Sequence, residues 1–205
     1  MKEEKDYLRD LAEIRSMMER SSKFLSLSGW AGIFAGIIAL AGAFIAWKVL
    51  DFNPDSFTYT YNSPDSSGLT KVFLLAISVL GLALVSAFFD SYRKASGKGE
   101  RAWNTTSKRM LINMLIPLTT AGILIVILVI NGLSGLIAPL TLIFYGISLY
   151  NAGNYTFKII RVLGLVQITI GLINCVFIEF GLLFWAIGFG LSHIIYGIYM
   201  FRFEQ

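Results

Sequence analysis

Six long segments of this chain carry no charged side chain, or charged side chains only near their ends. A bilayer core about 30 Å thick is crossed by a helix of roughly 20 apolar residues, and each segment approaches that length. Apolar residues make up 56% of the 205 residues, whereas charged residues make up only 15%. The polar side chains are therefore too few to cover the surface of a soluble globule of this size. The sequence therefore predicts an all-α, multi-pass membrane protein.

The predicted spans follow the apolar runs, and together they form a transmembrane domain over residues 24–205. The six runs are Leu25–Leu50, Val72–Phe89, Met110–Ile130, Leu133–Tyr150, Phe157–Ile178 and Leu182–Phe201. Helices are expected because the runs lack the alternation of barrel strands and because a helix satisfies its own backbone hydrogen bonds in lipid. Very short turns make spans three and four, and likewise spans five and six, antiparallel hairpins.

The basic residues are distributed very unequally between the two sides of this arrangement. Fifteen of the 17 lysines and arginines fall at the termini, in the inner loop 90–109 or at adjacent helix ends. Only Lys48 and Lys71 fall on the other side, which includes the outer loop 51–70. By the positive-inside rule, both termini are expected to be cytoplasmic. Topology accounts for the basic character of the chain, so we expect no nucleic-acid partner.

The first 23 residues form a separate, charged segment that is expected to be a cytoplasmic amphipathic helix. Its apolar side chains recur at helical spacing. Those expected to contact a partner are Tyr7, Leu8, Leu11, Ile14 and Met18. Six basic and six acidic residues balance each other in residues 1–23, whereas helices that lie on anionic lipid usually have a cationic excess. Two interpretations stay open: contact with a second copy or a cytoplasmic partner, and a cap under its own bundle.

The membrane-embedded part contains several uncharged polar side chains but no charge in the middle of a span. Counted inward at about 1.5 Å per residue, the polar side chains from four helices lie about 12 to 16 Å deep. We take Thr119, Thr120, Thr141, Gln167 and His193 as candidate ligand-binding residues. They predict either a small polar site for a solute or interhelical hydrogen bonds that hold the bundle together. The lack of a carboxylate in the pathway argues against an ion-driven pump.

Glycines recur on single faces of three spans, where they permit close helix packing. The predicted packing glycines are Gly32, Gly36, Gly164, Gly171, Gly190 and Gly197. On spans five and six they share a face with Gln167 and His193, so close approach could bring these two side chains into hydrogen-bond reach. The small-residue face of span one is interpreted either as an internal seam or as a dimer face.

Metal and cofactor chemistry find little support in the composition. The single cysteine, Cys175, lies in an apolar run, and there is only one histidine. No cysteine or histidine cluster can therefore be formed within one chain. We expect neither a metal nor a cofactor.

The motif Gly132-Leu133-Ser134-Gly135 resembles the GxSG motif of rhomboid intramembrane proteases, which also have six spans. The resemblance implies Ser134 as the nucleophile and His193 as the base. However, the Trp-Arg pair of rhomboids is missing from the outer loop 51–70. Ser134 would also lie one residue into its span, whereas His193 would lie about 16 Å deep. We interpret the partial match as coincidental.

The segment Gly190–Gly197, with the sequence GLSHIIYG, resembles a set of small bacterial six-span membrane proteins of undetermined activity. That resemblance implies a bacterial inner membrane and no particular reaction.

The chain is expected to be a non-enzymatic, self-associating scaffold or sensor that acts through its cytoplasmic N-terminal helix. The alternative is a small-solute channel or transporter that uses the polar residues of the spans.

Overall fold

The computed structural model describes residues 29–50, 66–97 and 105–203. Helix accounts for 92% of this part of the chain, and none of it lies in a strand. Six helical segments are long and apolar enough to cross a membrane. The all-α prediction and the number of candidate spans are therefore confirmed for these residues. The predicted amphipathic helix over residues 1–23 lies outside them, as does most of the outer loop.

The helices follow one another along the chain with short connections. They are α1 (Gly29–Lys48), α2 (Ser66–Gly97), α3 (Thr105–Ile130), α4 (Ile137–Ala152), α5 (Lys158–Val176), α6 (Gly181–Trp185) and α7 (His193–Phe203). Turns of 3₁₀-helix, Ser134–Leu136 and Ile178–Phe180, precede α4 and α6. A π-helical segment, Ala186–Ser192, joins α6 to α7. The stretch Ile178–Arg202 is one continuous candidate span, here called the sixth span.

Two helices extend well beyond the apolar runs that predict them. Helix α2 continues past Phe89 to Gly97, and α3 begins at Thr105 instead of Met110. Much of the predicted inner loop is therefore helical. Hydropathy marks only the part of a helix that suits lipid, while backbone hydrogen bonding continues where charged side chains reach the headgroups. Beyond the apolar run, the Lys94 ammonium lies 5.9 Å from the centre of the Phe157 ring.

The central part of the bundle consists of α1, α4, α5 and the sixth span. Helices α4 and α5 share the most extensive interface, and α1 packs along the sixth span. Helix α2 packs on α1, and α3 packs on α4. Within their most apolar windows, α1 is 44% buried, α3 17% and α2 only 6%. Helices α2 and α3 are therefore peripheral and present most of their apolar surface outward.

The small-residue face of α1 is an internal seam against the sixth span. A Cβ atom added to Gly36 would lie 2.6 Å from the carbonyl oxygen of Gly190. One added to Gly32 would lie 3.0 Å from the carbonyl oxygen of His193. Gly197 is equally crowded, by the backbone of Gly29 and by the side chain of Ile33 on α1. Glycine on both sides is what lets these two backbones approach so closely.

A second glycine crossing joins α4 to α5. A Cβ atom on Gly146 would lie 2.6 Å from the carbonyl oxygen of Gly164, and the reverse distance is also 2.6 Å. One on Gly171 would lie 2.8 Å from the carbonyl oxygen of Pro139. Close packing at both points aligns the inward face of α5 with α4 along most of its length.

The two ends of the bundle differ in how they are packed. The end where α4 finishes, α5 starts and α7 finishes is here called the inner end, after the predicted orientation. It contains an apolar core made of Leu149, Ala152, Ile160, Leu163, Tyr196 and Met200. The opposite, outer end holds the turns between α3 and α4 and between α5 and α6. The functional site described next lies between these two ends.

Candidate functional site

The sixth span changes from α-helix to π-helix over Ala186–Ser192. The wider π turn alters the normal helical pairing of backbone groups, and such turns are frequent at functional sites. Here two carbonyl oxygens of the turn accept hydrogen bonds from side chains. Ser192 Oγ donates to Ile187 O at 3.0 Å. The next carbonyl, that of Gly188, accepts from residues on two different helices.

Gln167, on the inward face of α5, is the first donor to Gly188. Its side chain is fully buried, and its Nε2 atom donates to Gly188 O at 2.7 Å. A Cβ atom on Gly188 would lie 2.7 Å from Gln167 Oε1 and would also meet the side chain of Leu142. The amide of Gln167 therefore occupies the space left free by the missing side chain of Gly188.

His193, the first residue of α7, is the second donor to Gly188. Its Nδ1 atom lies 3.1 Å from Gly188 O, and its Nε2 atom lies 2.8 Å from the hydroxyl oxygen of Tyr145 on α4. A carbonyl oxygen only accepts, so this contact requires the proton on Nδ1. Nε2 then accepts a hydrogen bond from the Tyr145 hydroxyl. With the Tyr145 hydroxyl as the donor to Nε2, the imidazole is neutral and both of its nitrogens are satisfied.

An aromatic wall covers one side of this arrangement. Trp185, Phe189 and His193 follow one another at four-residue spacing, with ring centres 4.9 and 6.1 Å apart. The Tyr145 ring lies 5.0 Å from that of Phe189 and 5.5 Å from that of His193. Aromatic contacts at these distances are favourable. They hold the Tyr145 and His193 side chains in a single arrangement. These two side chains and that of Gln167 are here called the polar cluster.

Two fully buried amides on α5 have polar atoms with no hydrogen-bond partner among the described residues. They are Gln167, through Oε1, and Asn174, through both Oδ1 and Nδ2. Both side chains have 0% exposure. A buried polar group left unpaired costs about 1–3 kcal/mol, so such groups are rare in native proteins. These atoms therefore have unmet hydrogen-bonding capacity among the described residues.

The structure brings together only two of the five residues that the sequence suggests as ligand-binding. Gln167 Nε2 and His193 Nδ1 lie 3.4 Å apart, and both donate to the same carbonyl. The Thr119 and Thr120 hydroxyls are exposed and donate to carbonyl oxygens of their own helix at 2.7 and 2.9 Å. Thr141 likewise donates to Ala138 O at 2.7 Å. Equal depth in the bilayer does not imply a shared face, and the two α3 threonines point outward.

Four residues of the site, Tyr145, Phe189, Gly188 and Asn174, are not among the predicted ligand-binding residues. Tyr145 and Phe189 lie in apolar runs where aromatic residues are common, and Gly188 carries no side chain that would signal a role. For Phe189, the four-residue spacing of Trp185, Phe189 and His193 is a signal in the sequence. Asn174 shares a helical face with Gln167 and two glycines. That shared face is a readable sign of its inward orientation.

The rhomboid-like pairing has no geometric basis in this fold. Ser134 begins the 3₁₀ turn at the outer end. Between Ser134 and Tyr145, which contacts His193, the chain rises roughly 16 Å. A nucleophile and its base need to lie about 3 Å apart. Ser134 and His193 therefore do not form a catalytic pair.

Comparison of the chain with protein-family models, with curated proteins and with solved structures gives no match. Across residues 29–50, 66–97 and 105–203, no three His, Cys, Asp or Glu side chains are grouped so that they could hold a metal ion. Function therefore has to be inferred from the chemistry of the polar cluster.

Proposed function

We propose that this chain is a multi-pass membrane protein that binds a small, uncharged, hydrogen-bonding solute at the polar cluster, as part of a channel or transporter. The observation that carries this proposal is the buried Oε1 atom of Gln167. It is held beside His193 and has no partner among the described residues. Six apolar helices support the membrane location. The bacterial inner membrane and the cytoplasmic termini belong to the same proposal.

Interhelical hydrogen bonding explains most, but not all, of the polar cluster. It accounts for Gln167 Nε2, for His193 Nε2 and for the Tyr145 hydroxyl. His193 Nδ1 is instead bonded to Gly188 O within the sixth span itself. Such bonds in membranes contribute about 0.6 kcal/mol each. These hydrogen bonds leave Gln167 Oε1 without a donor. The free-energy cost of burying this unpaired acceptor is larger than the stabilisation from one such bond. A solute that donates an N–H or O–H group to this oxygen would remove that cost.

An uncharged solute suits the surroundings of the polar cluster. No charged residue occurs in α4, between Arg161 and Glu179, or between Glu179 and Arg202. The imidazole of His193 is neutral in the arrangement that its partners assign. An ion placed here would lack a counter-charge, and an uncompensated charge inside a bilayer is costly. The wall of Trp185, Phe189 and Tyr145 instead favours a compact neutral molecule with an apolar side.

The proposal is tested by solute uptake into proteoliposomes. Vesicles are exposed to gradients of urea, glycerol and acetamide, and their volume change is followed by stopped-flow light scattering. We expect faster uptake of at least one solute than in protein-free vesicles, and about tenfold slower uptake in Gln167→Leu. Tenfold corresponds to loss of one hydrogen bond of about 1.4 kcal/mol. Uptake equal to that of protein-free vesicles for all three solutes would refute the proposal.

Thr119→Val is the matched control for this experiment. It also removes one polar group from a span, but the Thr119 hydroxyl is exposed and bonded to its own helix. We expect uptake through Thr119→Val to equal that of the unaltered protein. Equal losses in Thr119→Val and Gln167→Leu would indicate general damage to the bundle rather than loss of a site.

A role as a membrane scaffold or sensor remains a second proposal for this chain. The segment that would perform this role, the helix expected over residues 1–23, lies outside the described residues. A sensor could use the same polar cluster to detect its solute, so the two proposals meet at Gln167. Deletion of residues 1–23 separates them. A scaffold or sensor would lose its function, whereas solute uptake through the cluster would continue.

A further inference from the structure

The inward face of α5 has a second polar position between the cluster and the outer end. Asn174 lies seven residues after Gln167, which is two turns, or about 10 Å, along the helix. Two turns return a side chain to nearly the same direction, so the two amides share one face. Gly171 lies between them on that face, crowded by the backbone of Pro139 and the side chain of Ile143 on α4. The Asn174 amide is therefore directed into the bundle.

Every polar atom of the Asn174 side chain is unsatisfied within the described residues. Both Oδ1 and Nδ2 are buried and without a hydrogen-bond partner there, and the residue has 0% exposure. An amide offers two donor hydrogens and an acceptor oxygen. This is a larger unmet hydrogen-bonding capacity than that of Gln167, whose Nε2 atom already donates to Gly188 O. A molecule that satisfies Asn174 has to donate and accept.

Toward the inner end of the bundle, the inward face of α5 next to the cluster is apolar. Toward the inner end, the side chains that follow the cluster are Leu163 and Ile160, both in the apolar core with Leu149 and Met200. Gly164 in the same stretch is in tight contact with Gly146. The side chains next to the cluster on the inner side are therefore apolar, whereas the next polar side chain on this face toward the outer end is the buried, unpaired amide of Asn174.

We infer that Asn174 forms an outer subsite for the same solute, between the polar cluster and the outer end of the bundle. This inference rests on the proposed function. It narrows the solute to neutral molecules that carry both donor and acceptor groups, such as alcohols and amides. Water is the smallest such molecule and occupies the subsite when no solute is present.

Hydration of Asn174 is measured by water-edited solid-state NMR on protein with ¹⁵N-labelled asparagine and leucine in liposomes. Magnetisation transferred from water should reach the Asn174 side-chain amide at a rate comparable to that of the exposed Asn131. The backbone amide of Leu163, in the apolar core, provides the dry reference. An Asn174 amide as dry as Leu163 would overturn the subsite, because no water would then occupy it.

Uptake assays give a second, independent measurement. Asn174→Leu replaces the amide with an apolar group of similar size, and we expect about tenfold slower uptake of urea or acetamide. Asn131→Leu is the matched control, because the Asn131 amide lies at the same end but donates to Ile127 O of its own helix at 2.8 Å. Unchanged uptake in Asn174→Leu would overturn the subsite.

The two measurements distinguish failure of this inference from failure of the proposed function. Slower uptake in Gln167→Leu together with normal uptake and a dry amide at Asn174 would leave the cluster as a site and remove the outer subsite. A hydrated Asn174 without uptake of any solute would refute transport through the cluster. In that case Asn174 would bind water alone, and the inferred solute subsite would fall as well.

Discussion

The Nε2 atom of Gln167 on α5 donates a 2.7 Å hydrogen bond to the carbonyl oxygen of Gly188 in the sixth span. This bond links two helices at the point where the sixth span widens into a π turn. The same carbonyl accepts from His193 Nδ1 at 3.1 Å. Gly188 is thus the common acceptor that fixes the orientation of both polar side chains. It leaves Gln167 Oε1 as the free acceptor of the cluster.

The tautomer of His193 follows from this arrangement. Because Nδ1 donates to a carbonyl and Nε2 accepts from Tyr145, we expect a neutral imidazole protonated on Nδ1. His193 is the only histidine of the chain, so ¹⁵N-histidine labelling gives one pair of ring signals by solid-state NMR. Tyr145→Phe should shift the Nε2 signal and leave Nδ1 protonated. A proton on Nε2 in the unaltered protein would contradict the assigned hydrogen bonds.

Removal of the Tyr145 hydroxyl should also lower stability. Tyr145→Phe leaves His193 Nε2 without its donor, and we expect a loss of about 0.6–1.5 kcal/mol. The loss is measured as a lower midpoint of thermal unfolding in detergent. Tyr92→Phe is the control, since the Tyr92 ring is exposed and stacks on Phe88. A Tyr145→Phe variant as stable as Tyr92→Phe would argue against this hydrogen bond.

A methyl group at Gly188 should disrupt the cluster directly. The added Cβ would lie 2.7 Å from Gln167 Oε1 and would clash with Leu142. Overpacking of this kind costs about 1–3 kcal/mol, so Gly188→Ala should unfold at lower temperature than the unaltered protein. Gly122→Ala provides the comparison, because a Cβ there meets nothing within 4 Å. Equal stability of the two variants would contradict the packing around Gly188.

The seam between α1 and the sixth span makes a separate prediction. Gly36→Ala would place its Cβ 2.6 Å from the backbone oxygen of Gly190, which cannot move without shifting the helix. We expect destabilisation of about 1–3 kcal/mol. Gly81→Ala, on the open surface of α2, should be neutral or slightly stabilising because alanine favours helix. Thermal unfolding of both variants checks this, and an unaffected Gly36→Ala would mean that the seam is loose.

Hydropathy identifies the six candidate spans, because a helix needs about 20 apolar residues to cross a bilayer. It locates the helix ends less well, as α2 shows by continuing past Asp90 to Gly97. Chain ends and inner loops can stay helical without being apolar. The length of the lipid-exposed part is therefore readable from the sequence, whereas the length of the helix is not.

The polar site can be predicted only in part from the sequence. The direction in which a side chain points relative to the bundle depends on which helices become its neighbours. Gln167 and His193 are recognisable because each shares a face with glycines that permit close packing. Thr119 has a similar depth but lies on the outward side of a peripheral helix. Tyr145 is an ordinary residue in an apolar run, and its role appears only when α4 is placed beside the sixth span. The π turn around Gly188 likewise depends on tertiary packing.

The most direct measurement of the central claim is the ¹³C signal of the Gln167 side-chain carbonyl in proteoliposomes, with and without solute. Glutamine labelling gives only Gln167 and Gln205 in this chain, so the assignment is simple. Addition of the urea, glycerol or acetamide that enters the vesicles should shift the Gln167 Cδ signal in a saturable way and leave Gln205 unchanged. A Gln167 signal that stays in place while the solute is taken up would show that Oε1 does not bind it.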